Sequence, residues 1–136
     1  MQFAIKAEIV DLRARTFTCT VYKTMYGGKL IAKGDTIFVF ASENERAHGL
    51  IARGIVTDAA AFPKKRDSAR QTPRVSIAVK RSALSKRPLG RNELEHLTNW
   101  KDGRPETELN FKFYRQATNK IVGISDKVAA FLSEYF

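Results

Sequence analysis

Phe3, Ile5, Ala7 and Ile9 alternate with Gln2, Lys6 and Glu8 at the start of the chain. This period of two predicts a half-buried strand. After a polar turn over Asp11 to Arg15, the run Thr16 to Tyr22 is β-branched and aromatic and predicts a second strand. Thr24 to Leu30 reads as a flexible connection, in which Gly27 and Gly28 permit a sharp turn or the close approach of a ligand. Gly34-Asp35 then turns the chain into Thr36 to Phe40. That run has too few polar positions for a strand exposed on one face, so it predicts burial on both sides. A polar connection, Ser42 to His48, leads to the apolar run Leu50 to Val56, where Gly54 predicts a bulge or a tight barrel corner. Thr57 to Phe62 extends that strand. A buried hairpin flanked by further strands points to a small closed or nearly closed sheet.

The second half is mixed. Val75, Ile77 and Val79 alternate with polar neighbours and predict strand five. Asn92 is placed to cap a short helix, Glu93 to Asn99, with Leu94, Leu97 and Trp100 on one face. Pro105 to Gln116 fits a short helix that Pro105 starts, with Glu106 and Glu108 at its N-terminal end; a strand with Leu109, Phe111 and Phe113 on one face is the alternative. Lys120 to Ile124 predicts a last strand. Ser125 is the expected N-cap of a helix over Asp126 to Phe136, whose apolar face of Val128, Phe131, Leu132 and Tyr135 would cover the barrel. The expected fold is therefore α+β and β-rich: one domain over residues 1–136, a barrel of five to six strands, short helices and a C-terminal covering helix.

The hairpin Gly34-Asp35 to Ser42, followed by Gly49 to Val56, resembles the core hairpin of PUA-like domains, and is most similar to their EVE and ASCH branches. The resemblance implies a small β-barrel that binds RNA or a modified nucleobase in a pocket beside the barrel. That pocket would lie near Tyr26 to Lys29 and near Ala41 to Asn44. EVE-like chains carry an early tryptophan near the pocket, whereas the one tryptophan here is Trp100. The ASCH-like signature G-x-K-x-x-x-R is met in part, at Gly27-Gly28-Lys29, with Lys33 at the arginine position. The ASCH side of the resemblance implies a second possibility, a small amidohydrolase acting on a modified nucleoside, with Lys29, Thr24 and Glu43 as its nominees.

Composition narrows the partners. A net charge of +10 over 136 residues favours polyanions, nucleic acid first. Hydrophobic content of 43% is that of a globular chain, and no apolar run has membrane-span length, so no membrane partner is expected. One cysteine, Cys19, permits no internal disulfide, which suits a reducing compartment and a cytoplasmic location. No zinc-ligand spacing joins Cys19, His48 and His96, and no phosphate loop, dinucleotide fingerprint or serine elbow occurs. No metal, cofactor or catalytic residue is expected. A nuclease is disfavoured, because the carboxylate spacing is not distinctive.

Two groups of residues carry binding chemistry. The basic stretch supplies candidate phosphate contacts at Lys64, Lys65, Arg66, Arg70 and Arg74, continued by Arg81 and Arg87. Aromatic rings and amides that sandwich and read an unstacked base supply the candidate pocket: Trp100, Tyr114 and Asn119, with Tyr26 and Gly28, and with Lys29 and Ser42 from the hairpin resemblance. The favoured expectation is a non-catalytic nucleic-acid-binding module. The amidohydrolase and a protein-interaction subunit with a basic docking face are the alternatives.

Overall fold

The computed structural model describes residues 2–43, 48–63, 72–116 and 118–136. Six strands close a barrel: β1 (Gln2–Ala7), β2 (Thr16–Met25), β3 (Thr36–Ala41), β4 (Leu50–Phe62), β5 (Arg74–Leu84) and β6 (Lys120–Ile124). Their order around the barrel is β1-β3-β4-β5-β2-β6. The β3–β4 and β4–β5 pairs are antiparallel, as short connections require. β1 runs parallel to β3 and β2 runs parallel to β6. Three short helices follow β5: α1 (Arg91–Leu94), α2 (Pro105–Leu109), which continues as one π-helical turn over Asn110–Tyr114, and α3 (Asp126–Ser133), on the far side of β6.

There are two cores. Phe3, Ile5, Ile37, Val39, Val79 and Ile121 fill the barrel interior. A second layer, including Phe38, Phe40, Leu94, Leu109, Phe113 and Leu132, lies between the barrel wall and the helices. β3 feeds both: Ile37 and Val39 face inward, Phe38 and Phe40 face the helices, and all four are buried. This is why the sequence there shows no polar alternation. Gly54 sits at a register shift between β4 and β5, and a Cβ there would strike Lys80 and Val79. Ser125 caps α3 as expected, its hydroxyl accepting from the Val128 N–H at 3.2 Å.

Some boundaries differ from expectation. β2 runs on to Met25, because Thr24 and Met25 pair with Ile121 and Val122 of β6. A bulge at Val21 (φ 56) re-aims its second half; Ser76 Oγ accepts from the Val21 N–H at 2.8 Å, and Arg74 donates to the Val21 carbonyl at 3.0 Å. β5 continues to Leu84. Asn92 does not cap α1. Gly90 holds the cap position, and the Glu43 carboxylate accepts the Arg91 N–H from across the fold. A Cβ on Gly90 would collide with Glu43 and with the His48 carbonyl, so glycine is required for this approach. Trp100 leaves the apolar face of its segment and is 43% exposed.

Candidate nucleic-acid interface

Strand directions decide which side chains meet. β1 and β3 run side by side, with Ala7 opposite Ala41, and β6 runs against β1, with Lys120 opposite Lys6. The ends of β1 and β3 therefore converge on the start of β6. There the Ser42 hydroxyl donates to Asn119 Oδ1 at 2.5 Å across 77 positions of sequence. Around this pair lies a concavity of about 570 Å³, lined also by Glu43, His48 and the loop Glu8 to Arg13. Its volume is in the range of small-ligand sites, about 300–1,000 Å³. The loop contributes apolar edges, Ile9 and Leu12, and Val10 at its fully exposed tip. A neighbouring concavity of about 500 Å³ shares Leu12, Arg13 and His48 and continues past Lys86 and Arg87.

Next to Asn119 in sequence, and opposite it on β1, lies a buried cationic pair that does not itself line the concavity. Lys6 and Lys120 stand side by side on the outer faces of β1 and β6, at 3% and 1% exposure. Lys6 Nζ donates to the Phe113 carbonyl at 2.8 Å. The Tyr114 ring sits between two cations, with Lys6 5.3 Å and Arg91 5.1 Å from its centroid. Burial, reinforced by Lys120 and Arg91, pulls Lys6 down to about 8. Burial, with Lys23 and Arg115 nearby, also lowers Lys120. Among the described residues the Tyr114 hydroxyl is buried with no hydrogen-bond partner, and burial and the Glu43 carboxylate push its ionisation well above the ordinary tyrosine value. Two buried lysines and such a hydroxyl cost stability in a purely structural layer.

The residues named from sequence do not converge on one pocket. Ser42 and Asn119 line the concavity; Tyr114 does not, and lies with Lys6 and Arg91 in the layer under the helices. Tyr26, Gly28 and Lys29 line a smaller hollow elsewhere, with Thr24 and Pro73. The reason is topological: β2 is parallel to β6, so Tyr26 reaches the opposite end of β6, where its carbonyl accepts the Gly123 N–H at 3.2 Å. Gly28 packs directly on β6, and a Cβ there would collide with the Ile121 carbonyl. Trp100 lines a third hollow of about 360 Å³ with Arg104 and Lys127.

The phosphate candidates divide as well. Lys64, Lys65, Arg66 and Arg70 lie outside the described residues. Arg74 holds the β2 bulge. Arg81 donates to the Arg13 and Ala14 carbonyls at 2.7 and 3.3 Å and ties down the β1–β2 loop. Arg87 stacks on Tyr135, 4.2 Å from the ring centroid, while lining the second concavity. The amidohydrolase nominees are split too. Thr24 donates to the Pro73 carbonyl beside Lys29, whereas Glu43 lines the concavity at the other end of β6. Cys19 is inside the barrel, its thiol pushed up to about 11 by burial. Among the described residues no three histidine, cysteine or acidic side chains are grouped to hold a metal ion, and no helix is long and apolar enough to cross a membrane.

Sequence patterning did not point to Lys6 or the loop Glu8 to Arg13, and named Glu43 only through the hairpin resemblance. A lysine at a strand position facing other strands' apolar residues was the one local signal, at Lys6. It becomes informative only once β1 is paired with β6.

No protein-family model matches this sequence, and no curated protein does. Solved structures match along the whole chain. The DUF55 domain of human thymocyte nuclear protein 1 superposes with a TM-score of 0.64 at 15% identity, over 99% of this chain and 98% of that one. The human THYN1 protein in complex with 5-methylcytosine-containing DNA gives 0.64 at 17%, over 98% and 96%. A Pseudomonas syringae protein gives 0.58 at 15%, over 100% of both chains. The barrel and its helical cover are thus similar in fold to that DUF55 domain.

Proposed function

We propose that this chain is a nucleic-acid-binding module that receives a modified base in the concavity at Ser42 and Asn119. The observation that carries the reading is this concavity, with the buried Lys6–Lys120 pair adjoining it along β1 and β6, on a fold similar to that of a protein solved with methylated DNA. Its donor set suits a 5-methylcytosine. Glu43 offers a carboxylate acceptor for an exocyclic amine, and the Asn119 amide offers paired donor and acceptor groups. Ile9, Val10 and Leu12 supply apolar contact for a ring face and a methyl group. Arg13, Lys86 and Arg87 along the adjoining concavity suit the phosphates on either side of the base.

The test is fluorescence anisotropy with labelled single-stranded and duplex DNA and RNA, each with cytosine or 5-methylcytosine, across a salt series. The expected result is binding that weakens steeply with salt and favours the modified base. Failure of all of these oligonucleotides to bind at low salt would refute the reading.

A further inference from the structure

The second face of the π-helical turn carries a feature that the base concavity does not use. Phe111 packs against two exposed rings. Trp100 meets it edge-on, with centroids 5.4 Å apart, and Tyr26 lies 6.0 Å away on the other side. Tyr26 and Trp100 are 37% and 43% exposed. Three large rings in a row at the surface form a patch that a solvated helix face does not need.

The surrounding charges identify what fits it. Arg115 stacks on Phe111, its guanidinium 3.9 Å from the ring centroid, and Lys112 lies 5.3 Å from the centre of Tyr26. Lys29 shares the hollow beside Tyr26, and Lys127 shares the hollow beside Trp100. The nearby acids are occupied. Glu108 bonds Lys112 and Ser125, Glu106 pairs with Arg104, and Asp102 accepts from Thr107 and from the Arg104 backbone. Among the described residues Lys29, Arg115 and Lys127 make no ion pair with an acid. Tyr26 is also held at φ 53, a conformation that glycine or asparagine adopts more cheaply. A large ring is kept at a strained turn position.

We infer that Tyr26 and Trp100, braced by Phe111 between them and flanked by Lys29, Arg115 and Lys127, form a stacking platform for the bases of a single-stranded nucleic acid. Aromatic rings bind bases by their π-faces regardless of sequence, and a basic border follows the backbone. The platform lies at the far end of β6 from Asn119. The ends of the five-residue β6 are four residue steps apart, about 13 Å. A single strand with one base in the concavity reaches the platform within a few nucleotides. The inference thus rests on the proposed function and extends it from one base to a strand.

Trp100, the single tryptophan, makes the test direct. A dye-labelled single-stranded oligonucleotide carrying one central 5-methylcytosine is titrated with protein, reading anisotropy and Trp100 emission together. The mononucleotide 5-methyl-dCMP is titrated in parallel by calorimetry. The expected result is quenching of Trp100 that tracks anisotropy for the oligonucleotide. Trp100→Ala weakens the oligonucleotide about tenfold and leaves the mononucleotide unchanged, and Trp100→Phe restores most of the loss. Oligonucleotide binding with unchanged emission and no effect of Trp100→Ala overturns the platform and leaves the base concavity standing. Absence of any binding by either probe overturns both.

Discussion

The two faces of β1 and β6 do different work. The inner face presents Phe3, Ile5, Ala7 and Ile121 to an apolar core that also holds Cys19. The outer face of the same strands carries Ala4 and Val122, and then, two residues along, Lys6 and Lys120 side by side under the helices. Both faces are buried, but only one is built for stability. An apolar pair at Lys6 and Lys120 would pack against Phe113 and Tyr114 without desolvating charge. Two buried cations there carry a desolvation cost that an apolar pair would not. The barrel interior is packed with apolar side chains, while the layer between barrel and helices also holds buried charge.

Substitutions can break that division. Ile5→Ala, on the inner face, removes a fully buried side chain and is expected to lower unfolding free energy by about 2–5 kcal/mol in urea denaturation. Oligonucleotide affinity of the remaining folded protein should not change. Equal losses in both measurements would show that the inner face also serves the site.

The outer face should betray itself through pH. Lys6 is lowered to about 8 from 10.5 by burial, so between those values the unfolded chain binds more protons than the folded one. Stability then rises with pH across that window, and the penalty for the buried charge is fully present below it. The gain for the native chain relative to Lys6→Met is expected to be on the order of 2 kcal/mol between pH 8 and 10. Parallel stability curves for the two proteins would contradict a buried charged lysine.

Asn119→Ala sharpens the contrast from the opposite side. It removes the acceptor of the Ser42 hydroxyl at a half-buried position, and should cost roughly 1 kcal/mol of stability. Its larger consequence is a fall of about tenfold in affinity for 5-methylcytosine DNA, the worth of one good base-edge contact. The smallest effect concerns neither face. Ser125→Ala removes the α3 cap and is expected to lower stability by about 1 kcal/mol, with no change in binding.

Much of the architecture was legible because its signals are local. The alternation in β1, the two-sided burial of β3, the glycine at the β4 bulge and the Ser125 cap each declare themselves within a few residues. The second half of β2 was not legible, because Thr24 and Met25 become strand through parallel pairing with β6, almost 100 residues later. The same holds for α1, whose cap comes from Glu43.

The site was less legible for the same reason. Ser42 and Asn119 were named, but their partnership depends on where three strands end. Tyr26 and Lys29 were grouped with them by proximity to the hairpin in sequence, and the direction of β2 sends them to the other end of β6. Charge pattern could not separate Arg74 and Arg81, which hold backbone carbonyls, from Arg87, which borders a concavity.

The central claim is that a modified base enters beside Ser42 and Asn119. Amide-shift mapping by NMR, with a 5-methylcytosine oligonucleotide titrated into labelled protein, tests it most directly. The account predicts the largest changes at Ser42, Glu43, Asn119 and the loop Glu8 to Arg13, and smaller ones for an unmodified oligonucleotide. Changes absent from those residues and concentrated elsewhere on the barrel would contradict it.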